Sequence, residues 1–263
     1  MSSSPVCGTV SLELSGTRID DESASGATAS RSPLRRRSAL RWLMKREGRL
    51  KVVSLNVGLP REVEWEGHAV LTSIFKEPVE RRLRVSSLNF EGDAQSDLTV
   101  HGGVDKAVYA YPFEHYEEWR RELPGVEFPR AVFGENLTTE GLGEDVRIGD
   151  RFRIGTAEFV VTQPRLPCYK LGIRFGRMDM LKRMLRNGRT GFYFAVTAEG
   201  EVGPGDAIEP IERAEEGLTV ADVVRLYTVD AKNQELLRRA TQTSGLPDSW
   251  KDYFRKRLWD PDA

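Results

Sequence analysis

Between Leu50 and Ile211 the chain breaks into short runs of alternating apolar and polar residues, each closed by a glycine or proline. That punctuation limits the fold more than any other feature. Period-two alternation puts apolar side chains on one face of a strand, and frequent glycine turns leave little room for long helices. Lys51–Val57 reads as a strand stopped by Gly58 and Pro60, and residues 69–75 and 79–88 read as two more. Val146-Arg147-Ile148 and Phe152-Arg153-Ile154 flank Gly149-Asp150, a hairpin signal. Gly155 then precedes a strand at 158–163, and residues 192–197 and 207–211 alternate likewise, the latter after a Gly205-Asp206 turn. Many short strands joined by such turns predict a β-barrel.

Helices interrupt and then follow this pattern. Pro112 suits a first helical turn, with Phe113, Tyr116, Trp119 and Leu123 at helical spacing behind it. Residues 178–186 predict a short basic helix. After Gly217 the character changes. Thr219 and Asp222 form a capping box, Asp230 is a candidate cap for a second helix bearing Leu236, Leu237 and Ala240, and Pro247-Asp248-Ser249 opens a third with Trp250, Phe254 and Leu258. The expected organisation is an N-terminal extension (1–48), a β domain (49–213) and a small three-helix domain (214–263). Residues 1–48 are rich in Ser, Gly, Ala and Arg, including Arg35-Arg36-Arg37, and are expected to be a disordered tail or to precede a true start at Met44.

Charge and cysteine content exclude several functions. The formal net charge of −1 gives no general attraction to nucleic acid. No apolar run approaches a membrane span. Two cysteines, Cys7 and Cys168, cannot supply the usual four ligands of an iron–sulfur cluster, and there is no CxxC for zinc. A reducing cytoplasm is the expected location.

Cys168 lies in Gln163-Pro164-Arg165-Leu166-Pro167-Cys168-Tyr169-Lys170, between two cationic residues. From 159 to 198 the chain carries Arg165, Lys170, Arg174, Arg177, Lys182, Arg183, Arg186 and Arg189 against Asp179 alone, a formal +7. Lys182, Arg183 and Arg186 read as a solvated helix face. Arg165 and Lys170 beside the cysteine favour an anionic ligand, and such a setting favours the thiolate that attacks electrophiles and binds metals. Further candidates are His101, Gly102, Gly103 and Lys106, where paired glycines let backbone N–H groups approach a ligand. Glu135 is a candidate acid or base, Asn136 a hydrogen-bonding group, and Arg189 part of a Gly-Arg-Thr loop suited to phosphate. Each of these also reads as an ordinary turn. His115, one helical turn before Trp119, reads as a packing residue.

Taken in order, these pieces resemble the MOSC domain, in its YiiM-like branch. The segments are His101-Gly102-Gly103 with Lys106-Ala107-Val108 and His115-Tyr116, then Gly134-Glu135-Asn136-Leu137 with Gly141-Leu142. Ile148-Gly149-Asp150, the Gln163–Leu171 segment and Gly188-Arg189-Thr190-Gly191-Phe192-Tyr193 follow. The resemblance covers roughly residues 51–210, with the branch's three helices after it. It implies a mainly β fold, a MOSC-type β-barrel with peripheral helices, that binds the molybdenum cofactor (molybdopterin). Cys168 would ligate the metal, and Arg165, Lys170, Arg174, Arg189, Lys106, Asn136, Gly102 and Gly103 would line the cofactor site. His101 or Glu135 would supply a proton.

The implied activity is reduction of N-hydroxylated compounds such as hydroxylaminopurines. The chain has no iron–sulfur set and no dinucleotide fingerprint, so a separate flavin or ferredoxin-type reductase would supply the electrons. Alternatives are a sulfur carrier with a persulfide on Cys168, as in MOSC domains attached to pyridoxal phosphate-dependent sulfurases, or a cofactor carrier without turnover. A thiol hydrolase pairing Cys168 with His101 lacks an evident orienting group.

Overall fold

The computed structural model describes residues 50–96 and 102–258. The N-terminal extension, Cys7 and His101 therefore lie outside the described residues. The strands are β1 (Lys51–Val57), β2 (Arg61–Trp65), β3 (His68–Thr72), β4 (Glu77–Val79), β5 (Leu83–Val85), β6 (Val108–Pro112), β7 (Leu137–Glu140), β8 (Arg151–Ile154), β9 (Ala157–Pro164), β10 (Phe192–Ala198), β11 (Gly200–Val202) and β12 (Ile208–Glu212). The helices are α1 (Glu114–Glu122), α2 (Tyr169–Phe175), α3 (Asp179–Asn187), α4 (Val220–Thr228), α5 (Gln234–Gln242) and α6 (Asp248–Arg255). Among the described residues no helix is long and apolar enough to cross a membrane.

Eight strands form one sheet in the order β12-β8-β9-β10-β6-β7-β1-β4, and two short pairs, β11-β5 and β2-β3, stand beside it. Neighbours in the large sheet are antiparallel except β6 and β7. The expected barrel does not close. The second half of β1 spends its outer edge on β4, from Leu55↔Val79 to Val57↔Glu77. Only its first residues remain to meet the approach to β12, through a single bridge, Lys51↔Ala207, and hydrogen bonds such as Ile208 N–H to Leu50 O at 2.9 Å. Pro210 removes a ladder donor from β12, which suits an edge strand.

Local signals misplace three further elements. Residues 146–148 form no hairpin arm. Ile148 N–H bonds to Leu218 O, and Asp150 turns its carboxylate to the N–H groups of Arg147 and Ala214, both at 2.9 Å. The hairpin is instead β8–β9, closed around Gly155-Thr156. The expected strand at 79–88 splits into β4 and β5, which belong to different sheets. Pro112 ends β6 rather than starting α1.

The three C-terminal helices are present. The Thr219–Asp222 capping box forms at α4. Asn233, not Asp230, caps α5, while Asp230 pairs with Arg225 at 2.5 Å. Their apolar faces share one core with the sheet: Val220, Val223, Leu226, Leu237 and Phe254 pack with Phe152, Phe159 and Phe194. Trp250 Nε1–H donates to Gln163 Oε1 at 2.8 Å, tying α6 to β9. A second, aromatic core gathers Tyr111, Tyr116, Trp119, Phe128 and Phe133 under α1 and α2.

Candidate functional site

β9 leads straight to the cysteine. Pro164 and Pro167 have no N–H to offer a neighbouring strand, so pairing stops between them. Arg165 makes one last backbone bond, from its N–H to Gly191 O at 3.3 Å. The Gly191 α-carbon sits so close to β6 that a Cβ there would lie 2.5 Å from Ala110 O, at φ 64°, so the position requires glycine. Cys168 follows in extended conformation as the residue before α2, and its carbonyl accepts from Leu171 N–H at 2.9 Å. It is half-buried and in no disulfide.

Cys168 opens onto a cleft whose lining includes Arg165, Lys170, Lys106, Asn136, Tyr109 and Tyr193. The Arg165 guanidinium lies 5.3 Å from the Tyr109 ring centroid. Burial weakens its hold on the proton, but Tyr109, Cys168 and Tyr193 outweigh that and leave its pKa above the ordinary value. Lys170 Nζ donates to Ser96 Oγ at 3.1 Å. The 3-10 turn Val104–Lys106 carries Lys106 to the cleft, where burial lowers its pKa against the pull of Asp105. Asn136 reaches back under the cleft: its Oδ1 accepts from Tyr109 N–H at 3.1 Å, and its Nδ2 donates to Asp93 at 2.8 Å.

Other expected site residues stand elsewhere. Gly102 and Gly103 do not line the cleft; Gly103, at φ 95°, starts the turn that presents Lys106. Arg189 pairs with Glu118 at 2.5 Å and Glu122 at 3.1 Å and covers Trp119, so its charge is spent on α1. Arg174 stacks over Phe75, 4.8 Å from its centroid. His115 bonds Glu144 at 2.8 Å, which in turn accepts from Gly191 N–H at 2.8 Å. It is a packing residue that braces the loop opposite Arg165.

Glu135 is fully buried behind the cleft wall. Its Oε1 accepts from the Tyr116 hydroxyl and, at 2.9 Å, from Thr138; its Oε2 has no hydrogen-bond partner. Burial raises its pKa above 4.5 despite those bonds. The folded state thus holds this proton more tightly than the unfolded chain. The resulting stability is present in full below the ordinary glutamate range and is lost as pH rises through the raised value. Glu135→Gln is expected to flatten that decline in urea unfolding measured across pH; equal slopes in both proteins would exclude Glu135 as its source.

Sequence reasoning missed a buried ion pair in the same lining, Lys76 with Asp93. Asp93 also accepts from Gly58 N–H at 2.9 Å. The partners lie 17 residues apart, so no short-range spacing announces them. The one available signal was Lys76 itself, a cation directly after the apolar pair Ile74-Phe75.

Comparison with known proteins agrees with this architecture. Residues 97–209 match the family model described as MOSC domain, and residues 218–258 match the YiiM-like, 3-alpha helix domain. YflK of Bacillus subtilis is 44% identical over 215 residues, spanning 81% of this chain and 96% of that protein. The crystal structure of YiiM from Geobacillus stearothermophilus superposes with a TM-score of 0.68 at 35% identity, covering 80% of this chain and 100% of that one. A Gibberella moniliformis protein named reductase is 32% identical over 196 residues, 73% of this chain but 35% of that protein. The chain therefore belongs to the MOSC-domain proteins, in the YiiM-like group that carries three helices after the β domain.

Proposed function

We propose that this chain is an oxidoreductase that binds a molybdenum cofactor in the Cys168 cleft and reduces N-hydroxylated compounds of the hydroxylaminopurine type. A separate reductase supplies the electrons. One observation carries the reading: among the described residues, a thiol shares a cleft with three cationic side chains, Lys106, Arg165 and Lys170, in addition to the internally paired Lys76 and Asp93.

The donor set fits the group. A soft sulfur suits molybdenum, and excess positive charge suits the pterin phosphate. Among the described residues no three His, Cys, Asp or Glu side chains cluster for a metal. Cys168 would be the protein ligand to a metal that the cofactor's own dithiolene already holds. Arg165, Lys170 and Lys106 would hold the phosphate. The bound group supplies two-electron oxygen-transfer chemistry. The residues of this chain bind it, neutralise its charge and deliver protons. The reductase name of the fungal relative supports the redox class.

The test is molybdenum and released pterin in protein purified from a molybdate-replete host, followed by reduction of a hydroxylaminopurine with an artificial donor. Near-stoichiometric metal with turnover is expected. Metal-free protein with full activity would overturn the reading, and cyanide-releasable sulfur on Cys168 would favour a sulfur carrier instead.

A further inference from the structure

Two polar groups in the cleft wall have no part in binding the cofactor as assigned above, and both come from the short connection between β3 and β4. Ser73 is only 9% exposed, and its Oγ has no hydrogen-bond partner. A hydroxyl buried without a partner is costly, so its presence in a ligand cleft calls for an outside partner. Three residues on, the Lys76 side chain is 8% exposed. Asp93 is its hydrogen-bond partner among the described residues, and one bond leaves the ammonium with further N–H donors.

Asp93 itself is already engaged. Its side chain is 1% exposed and accepts from Lys76, Gly58 N–H and Asn136. With three of its roughly four acceptor sites taken and its side chain buried, it acts as an orienting group. A buried ion pair contributes little net stability compared with apolar packing, so its place in a cleft wall points to use.

We infer that the Lys76 ammonium, aimed by Asp93, is the proton donor to the oxygen that leaves an N-hydroxylated substrate, with the Ser73 hydroxyl as hydrogen-bonding partner of that oxygen. This rests on the reductase reading. The reduction takes two electrons from the separate reductase and two protons. The N–O bond breaks with its electron pair leaving on oxygen, the two supplied electrons go to nitrogen, and the departing hydroxide accepts one proton from Lys76 and leaves as water. A second proton, from solvent, completes the amine, and Lys76 is reprotonated from water.

The surroundings suit this task. Burial lowers the pKa of Lys76, opposed by Asp93 and Glu135, which makes the ammonium a stronger acid than an exposed lysine. Among the described residues, the other charged groups of the lining, Lys106, Arg165 and Lys170, are cations. Glu135, the acid expected from sequence, does not line the cleft.

The experiment uses the full chain from molybdate-replete cells, with variants Lys76→Met, Lys76→Arg, Ser73→Ala and the double variant Lys76→Met/Asp93→Asn. The double variant removes both charges, so it remains informative if Lys76→Met alone does not fold. Molybdenum and pterin per chain are measured first, then kcat and KM for a hydroxylaminopurine across pH. The expected result is unchanged loading, a kcat lower by about 100-fold or more in each Lys76 variant, and loss of the basic limb of the kcat profile. Arginine keeps the charge but does not release its proton, so Lys76→Arg should not rescue kcat. Ser73→Ala should raise KM about five-fold. Wild-type kcat per molybdenum in Lys76→Met, or full rescue by arginine, would overturn the assignment of Lys76. An active wild type without molybdenum would instead overturn the cofactor reading, and the Lys76 variants would still decide the proton donor from kcat per chain.

Discussion

Cys168→Ser is expected to lose bound molybdenum and to retain less than about 1% of substrate turnover. The substitution replaces a soft, readily ionised sulfur with a hydroxyl that stays protonated near neutral pH and is a poor ligand for the metal. The charge facing Arg165 and Tyr193 is lost as well, but the backbone is expected to stay in place. Cys168 is half-buried, its carbonyl bond to Leu171 is a backbone interaction, and the two side chains are close in volume. The unfolding midpoint should therefore stay within the range of a neutral surface substitution, about 0.5 kcal/mol. Metal analysis, released pterin and urea unfolding on the same preparation separate ligand loss from misfolding. Stoichiometric molybdenum with normal turnover in the serine variant would remove Cys168 from the site. Pterin retained with metal lost would assign the cofactor's organic part to the cationic groups and the metal to the thiol.

Phe133→Ala is expected to cost roughly 3–5 kcal/mol of stability, the usual range for emptying a large aromatic site in a packed core. Phe133 is fully buried and stacks on Tyr111 with centroids 4.2 Å apart. It also meets Tyr116, Trp119, Phe128 and Phe175 within about 6 Å. These partners come from β6, α1, the loop before β7, and α2, so no single neighbour can move in to fill the gap. The effect should reach the cleft, because Phe133 directly precedes Gly134, Glu135 and Asn136. A lower urea midpoint at unchanged denaturant slope, together with weaker retention of the cofactor, would match this expectation. A loss below about 1 kcal/mol would show that the aromatic core collapses around the gap.

Legibility followed the range of the interactions. The Thr219–Asp222 cap was readable because both of its hydrogen bonds form within one helical turn. Lys51–Val57 and the strand into Gln163 were readable from alternation, and the cysteine loop from its prolines. Gly149-Asp150 misled because Asp150 uses its carboxylate to hold the start of the C-terminal helices, a demand made from sixty-four residues away. The split at residues 80–82 escaped notice because β5 pairs with β11, a partner more than a hundred residues later. Among site residues, Cys168, Arg165, Lys170, Lys106 and Asn136 converge on one cleft, whereas Arg189 fits the motif but finds its counter-charges on α1. Asp93 and Ser73 carry no signal in the sequence, and Lys76 only its place after Ile74-Phe75, because their meaning lies in partners supplied, or withheld, by the fold.

The Gln163 amide has a consequence for how this protein can diverge. Its oxygen takes the Trp250 indole N–H and its nitrogen reaches the Asp105 carbonyl at 3.2 Å, so both ends of one small group are committed. A carboxylate would forfeit the second bond and a leucine both. Drift at position 250, far from the cleft in sequence, is thus transmitted to the strand that delivers Cys168 and to the turn that delivers Lys106. A substitution at either position 163 or position 250 would remove the hydrogen bond that joins the terminal helices to the strand leading into the cysteine loop.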